Sequence, residues 1–130
     1  MIPEWFKEFP EYEEIQNKIG AYNPKLGYAG PESSKVMSAF IPETLYGIDC
    51  NLCFYQHDGL YAMGGDDQDR WRADCSMFTT ALRIIEDSPD KWYFWGGNWA
   101  RRHGARVRLL KYFAAVRSGG KAHFNFHNKS

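Results

Sequence analysis

Cys50–Ile85 reads CNLCFYQHDGLYAMGGDDQDRWRADCSMFTTALRII, and two amphipathic helices joined by a short turn at Met63–Asp67 account for it. Asp49 is placed to cap the first helix, Gly64 and Gly65 to stop it, and Asp66 or Asp67 to cap the second. On the first, Cys50, Phe54, His57 and Tyr61 fall on one face. On the second, Trp71, Asp74, Phe78, Ala81 and Ile85 keep the three-and-four rhythm of a buried stripe. Each stripe is apolar except near its centre, where His57 and Asp74 stand. Both are equally far from the middle of the turn. Helices packed antiparallel at an axis separation of about 8–10 Å therefore bring imidazole and carboxylate together, with Tyr61 near Arg70.

A buried histidine–aspartate pair can be purely structural. Here it has a neighbour with its own chemistry. Asp58 follows His57 and points about 100° around the helix from it. A base is thus aimed one way and a hard-cation ligand another.

At these residues the chain resembles the phospholipase A2 superfamily, whose signature is Cys-x-x-x-His-Asp-x-x-Tyr on one helix and a second aspartate on an antiparallel one. The matching string is CFYQHDGLY, Cys53–Tyr61, and RADCSMF supplies Asp74. The similarity runs over residues 28–86 and is nearer to the small, disulfide-poor bacterial, phage and parvovirus-capsid versions. It implies an all-α fold: two central antiparallel helices carrying the His/Asp pair, flanked by N- and C-terminal helices and a calcium-binding loop. It further implies that His57 activates a water, that Asp74 orients His57, that Tyr61 supports both, and that Asp58 ligates Ca2+. The family's glycine-rich loop, Tyr-x-Gly-x-Gly, has its counterpart in YAGPE, so the backbone carbonyls of Tyr28, Gly30 and Glu32 would complete the calcium site. Glu32 stands where the family has its second glycine. The implied activity is calcium-dependent hydrolysis of the sn-2 ester of phospholipids at a membrane surface.

Around this centre, 130 residues suit one domain, 1–130, with a single modest core. No apolar run approaches the about 18 residues of a membrane span. The start, MIPEWFKEFPEYEEI, is acidic and lacks a signal peptide's plan. Three cysteines are too few for a disulfide framework, which points to reduced thiols and a cytoplasmic origin, or to release or association with a particle. Residues 3–19 read as a helix in two pieces broken at Pro10, with Trp5, Phe6 and Phe9, then Tyr12, Ile15 and Ile19, as packing faces ending at Gly20. Residues 20–47 read as a loop.

Net charge is zero, yet its distribution is lopsided. All 16 acidic residues and seven Lys or Arg lie within the first 90 positions, giving −9, whereas the last 40 hold nine Lys or Arg and no acid, giving +9. That split suits an anionic partner, membrane or nucleic acid, or internal docking of the basic end on the acidic part. KWYFWGGNW places Trp92 and Trp95 before, and Trp99 at the start of, a basic helix, Asn98–Arg117, with Val107, Leu110, Phe113, Ala114 and Arg117 on one stripe. Trp92, Trp95, Trp99, Arg101 and Arg102 are accordingly candidates for lipid contact. His123 and His127, four apart in the tail, lack a supporting ligand and read as a docked or frayed end.

Three rivals come from other classes. A zinc site would use Cys50, Cys53, His57 and Cys75, but the spacing matches no common finger or knuckle. A metal phosphohydrolase of the HD type would need a histidine upstream of His57, and there is none. A catalytically silent relative that binds lipid or nucleic acid through its basic C-terminal helix is the alternative that stands.

Overall fold

The computed structural model describes residues 2–25, 44–45, 48–88 and 97–127. Its helices are α1 (Glu4–Lys7), α2 (Tyr12–Ile19), α3 (Asn51–Met63), α4 (Asp67–Glu86) and α5 (Gly97–Gly119), followed by a 3-10 turn, Gly120–His123. Thr44–Leu45 and Ile48–Asp49 form a two-residue antiparallel pairing ahead of α3. The fold is mainly helical.

The hairpin of α3 and α4 is built by local chemistry. The carboxylate of Asp49 accepts the Asn51 backbone N–H at 2.9 Å, satisfying one of the donors exposed at the start of α3. Gly64 (φ +73°) and Gly65 (φ +134°) end that helix in backbone conformations that a side chain would strain. Asp66 then caps α4 through a reciprocal box with Asp69, each carboxylate accepting the other's backbone N–H at 3.0 Å.

The C-terminal tail closes the turn. Asn125 donates its N–H to the Tyr61 carbonyl at 3.2 Å and its side-chain amide to the Ala62 carbonyl at 3.0 Å. Gly65 and His127 exchange main-chain bonds with Asn125 and Gly65, and His127 Nε2 reaches the Met63 carbonyl. The carbonyls that α3 leaves unpaired are thereby satisfied. The tail is docked.

Packing places α3 at the centre, against α2 on one side and α4 on another, with α5 against α4. Asp58 is the one formally charged residue of α3, and Asn51 to His57, Gly59, Leu60 and Tyr61 are all buried. The single-face expectation for this helix is therefore too narrow: it is covered almost all round. Gly59 permits this, because a Cβ there would lie 2.3 Å from the Ile15 side chain of α2. Burial of rings such as Phe54 and Tyr55 contributes about 1.5–3 kcal/mol each.

Two other stripes are rotated from expectation. On α4 the buried face is Arg70, Ala73, Asp74, Met77, Thr80, Ala81 and Ile85. Trp71 is 50% exposed, and Phe78 is half-buried against Phe113. On α5 the buried face is Arg101, Ala105, Leu109, Tyr112 and Val116, so Val107, Leu110 and Ala114 point outward. The error has a physical source. Counting apolar letters missed that small alanines and two arginines, Arg70 and Arg101, share the inner seams while Val107 and Leu110 face out.

At the N-terminus Phe6 and Ile15 are buried, and Trp5 and Phe9 lie under the guanidinium groups of Arg83 and Arg72 from α4. Arg72 also pairs with Glu11. These aromatics pack on the domain. No helix among the described residues is long and apolar enough to cross a membrane.

Candidate active site

His57 and Asp74 face each other across the α3–α4 hairpin, with His57 Nε2 2.8 Å from Asp74 Oδ1. The same oxygen accepts the Tyr61 hydroxyl at 2.7 Å, and Oδ2 accepts Arg117 Nη1 from the last turns of α5 at 2.6 Å. Asp74 is wholly buried. Burial alone would raise its pKa, but hydrogen bonds from His57 and Tyr61, the His57 charge when present, and the Arg117 hydrogen bond outweigh it and hold the carboxyl below its ordinary value. An ionised carboxylate only accepts, so the shared proton sits on His57 Nε2. The tautomer is thus fixed, and Nδ1 carries the lone pair whenever the ring is uncharged.

The Tyr61 hydroxyl is pushed well above its ordinary pKa by burial and by the hydrogen bond to Asp74, with Arg70 pulling weakly the other way. It is a permanent donor. Gly120 approaches it so closely that a Cβ there would sit 3.0 Å from the oxygen. Arg70 in turn donates to the carbonyls of Val116 and Arg117, at 2.9 and 2.8 Å, and so anchors the end of α5 over the pair.

The ring of His57 borders a cavity of about 320 Å³ lined also by Asp58, Tyr61, Ala62, Tyr112, Val116, Gly120 and His123. Three sources meet there: α3, the inner face of α5 and the 3-10 turn. Asp58 has no donor or cation paired with it among the described residues, and burial pushes its carboxyl up to about 7. A desolvated oxygen ligand without a counter-charge, on the wall of the same cavity as an imidazole, fits a hard divalent cation in its donor chemistry. Tyr28, Gly30 and Glu32 lie outside the described residues.

The cysteines do not fit zinc. Cys50 and Cys53 are fully buried and unpaired, burial first and then nearby Asp49 push Cys50 to about 12, and Cys53 is raised as well. Among the described residues no three His, Cys, Asp or Glu are clustered to hold a metal.

Of the lipid-contact candidates, Trp92 and Trp95 lie outside the described residues. Trp99 is 72% exposed and stacks on His103. Arg101 is a correction: it is 1% exposed and donates to the Ser88 hydroxyl, so its charge cannot meet a membrane. Arg102 is half-buried and donates to the Ser88 carbonyl at 2.7 Å. With Arg106 paired to Glu86 and Arg117 to Asp74, part of the basic end docks internally.

Sequence reasoning did not assign Arg117, Tyr112, Val116, Gly120 or His123 to the site. Arg117 stood on the predicted stripe of the C-terminal helix without a role assigned to it, and the others carried no signal beyond membership of that helix and the tail. Compared with known proteins, the chain matches no family model, no curated protein and no solved structure.

Proposed function

We propose that this chain is a calcium-dependent phospholipase A2, hydrolysing the sn-2 ester of glycerophospholipids with a water activated by His57. The observation that most supports this reading is the Nε2-bonded His57–Asp74 pair beside Asp58, which no cation among the described residues pairs, on one cavity wall. Nδ1 of His57 takes a proton from water as it attacks the ester carbonyl, and returns it to the departing glycerol oxygen. Asp74 holds the ring's orientation and offsets the imidazolium charge that forms. Tyr61 occupies the second site on Oδ1 and keeps the carboxylate from rotating. Ca2+, held by Asp58 and by the backbone carbonyls of Tyr28, Gly30 and Glu32, would polarise the carbonyl and stabilise the oxyanion. The products are a fatty acid and a lysophospholipid.

A different observation favours a second reading. The outer face of α5 exposes Trp99, Val107 and Leu110, with exposed Lys111 on its flank. This face suits a catalytically silent module that adsorbs to anionic lipid or nucleic acid. Incubation with mixed phospholipid micelles separates the two. Calcium-dependent release of the sn-2 acid, abolished by a chelator, supports the enzyme. Binding of vesicles without release from either anionic or zwitterionic lipid supports the module.

A further inference from the structure

We propose that Arg117 is a positioning residue for the His57–Asp74 pair, holding the carboxylate from the oxygen that the imidazole does not use; this rests on the reading of His57 as the base. Arg117 comes from a helix remote in sequence and does not line the cavity, so it acts through Asp74.

The geometry is more elaborate than a surface ion pair requires. The guanidinium donates Nη1 to Asp74 Oδ2 at 2.6 Å and stacks over the Trp71 ring, its centre 4.9 Å from the centroid. Its own carbonyl and that of Val116 accept Arg70 Nη2, fixing the backbone from which the side chain springs. Trp71 is in turn braced edge-on by Phe113, 6.0 Å away. Long arginine side chains lose substantial rotamer freedom when held this way, and exposed pairs rarely return it. Here the partner is wholly buried, which changes the balance: a carboxylate removed from water needs donors on both oxygens and a compensating cation.

With Oδ1 shared by His57 and Tyr61, Arg117 alone among the described residues serves Oδ2. Three donors from α3 and α5 thus fix the carboxylate plane, which fixes the imidazole plane that it faces. Trp71, half exposed on α4, explains an otherwise unused tryptophan: it is the platform that keeps the guanidinium flat against the site.

The test uses the whole chain and Arg117→Gln, Arg117→Lys and Trp71→Ala. Proton NMR reads the far-downfield Nε2–H resonance of His57, which needs no substrate, and micelle hydrolysis reads kcat and KM. Arg117→Gln is expected to shift or broaden that resonance and lower kcat by about ten- to a hundredfold with KM held, the scale seen when a group orienting a catalytic ligand is lost. Arg117→Lys is expected to recover most of both. Should the Gln variant not fold, Trp71→Ala must perturb the same resonance, since it removes only the platform. An unchanged resonance in a folded Arg117→Gln or Trp71→Ala protein would overturn the proposal. If the parent protein released no fatty acid, the phospholipase reading would fail, and the resonance alone would decide the role of Arg117.

Discussion

Tyr61 and His57 meet on one atom: both reach Oδ1 of Asp74, at 2.7 and 2.8 Å, from positions one helical turn apart on α3, with their rings 4.0 Å apart. Because the hydroxyl and the imidazole share an oxygen, each limits where the other can place the carboxylate. Replacing Tyr61 with Phe keeps the ring and removes one hydrogen bond to a charged acceptor. A loss of about 1.5–3 kcal/mol in urea unfolding is expected, with the helical content unchanged.

Asp74→Asn should be more harmful to chemistry than to folding. The amide can present its N–H to His57, moving the ring proton to Nδ1, where it blocks the base. A fall in kcat of about 10⁴-fold is expected, as for the same substitution in other histidine–aspartate sites. Retained activity would show that tautomer control by Asp74 is not used.

The raised pKa of Asp58 sets a sign for pH dependence. Its folded value is about 7 against an ordinary 3.8, so the folded protein binds more protons than the unfolded one between those values. Its contribution to stability therefore declines as pH rises from about 4 to about 7. Asp74, with a lowered value, acts oppositely and only in acid. In thermal melts without calcium, Asp58→Asn should lessen the drop between pH 5 and pH 8. Calcium should raise the melting temperature of the parent at pH 8 and not that of the variant.

Gly59→Ala tests the packing of α2 on α3. The new methyl would collide with Ile15, itself fully buried. Destabilisation of about 1–3 kcal/mol is expected from overpacking, and combining it with Ile15→Ala, which removes both Cγ atoms, should cost less than the sum of the two single variants. An additive loss would argue that α2 moves as a unit.

Leu110→Glu probes the outer face of α5. Leu110 is 56% exposed, so stability should stay within about 0.5 kcal/mol of the parent. Adsorption to anionic vesicles in a sedimentation assay should fall several-fold if that face meets lipid.

The hairpin was readable from local signals. Asp49, Gly64, Gly65 and Asp66 each act as punctuation whose effect is confined to a few residues, and equal distances from the turn put His57 opposite Asp74. The rotation of α5 was not readable. Its inner seam uses Arg101 and Ala105, whose burial depends on partners elsewhere, Ser88 among them, while Val107 and Leu110 face out. Arg117 stood on the predicted stripe, but nothing in the sequence showed that its guanidinium would reach back to Asp74. The nearly complete burial of α3 was hidden for a related reason: polar Asn51 and Gln56, off the predicted stripe, look solvent-facing until their surroundings are known. YAGPE and the Trp92–Trp95 segment lie outside the described residues.

The role of His57 as the base for ester hydrolysis is tested most directly by comparing the parent with His57→Gln. Both would be presented with phospholipid carrying a labelled sn-2 chain in mixed micelles with calcium, after circular dichroism shows equal helix content. Release of labelled fatty acid by the parent and none above background by His57→Gln is expected. Equal release by the two proteins, or none by a folded parent, would contradict that role.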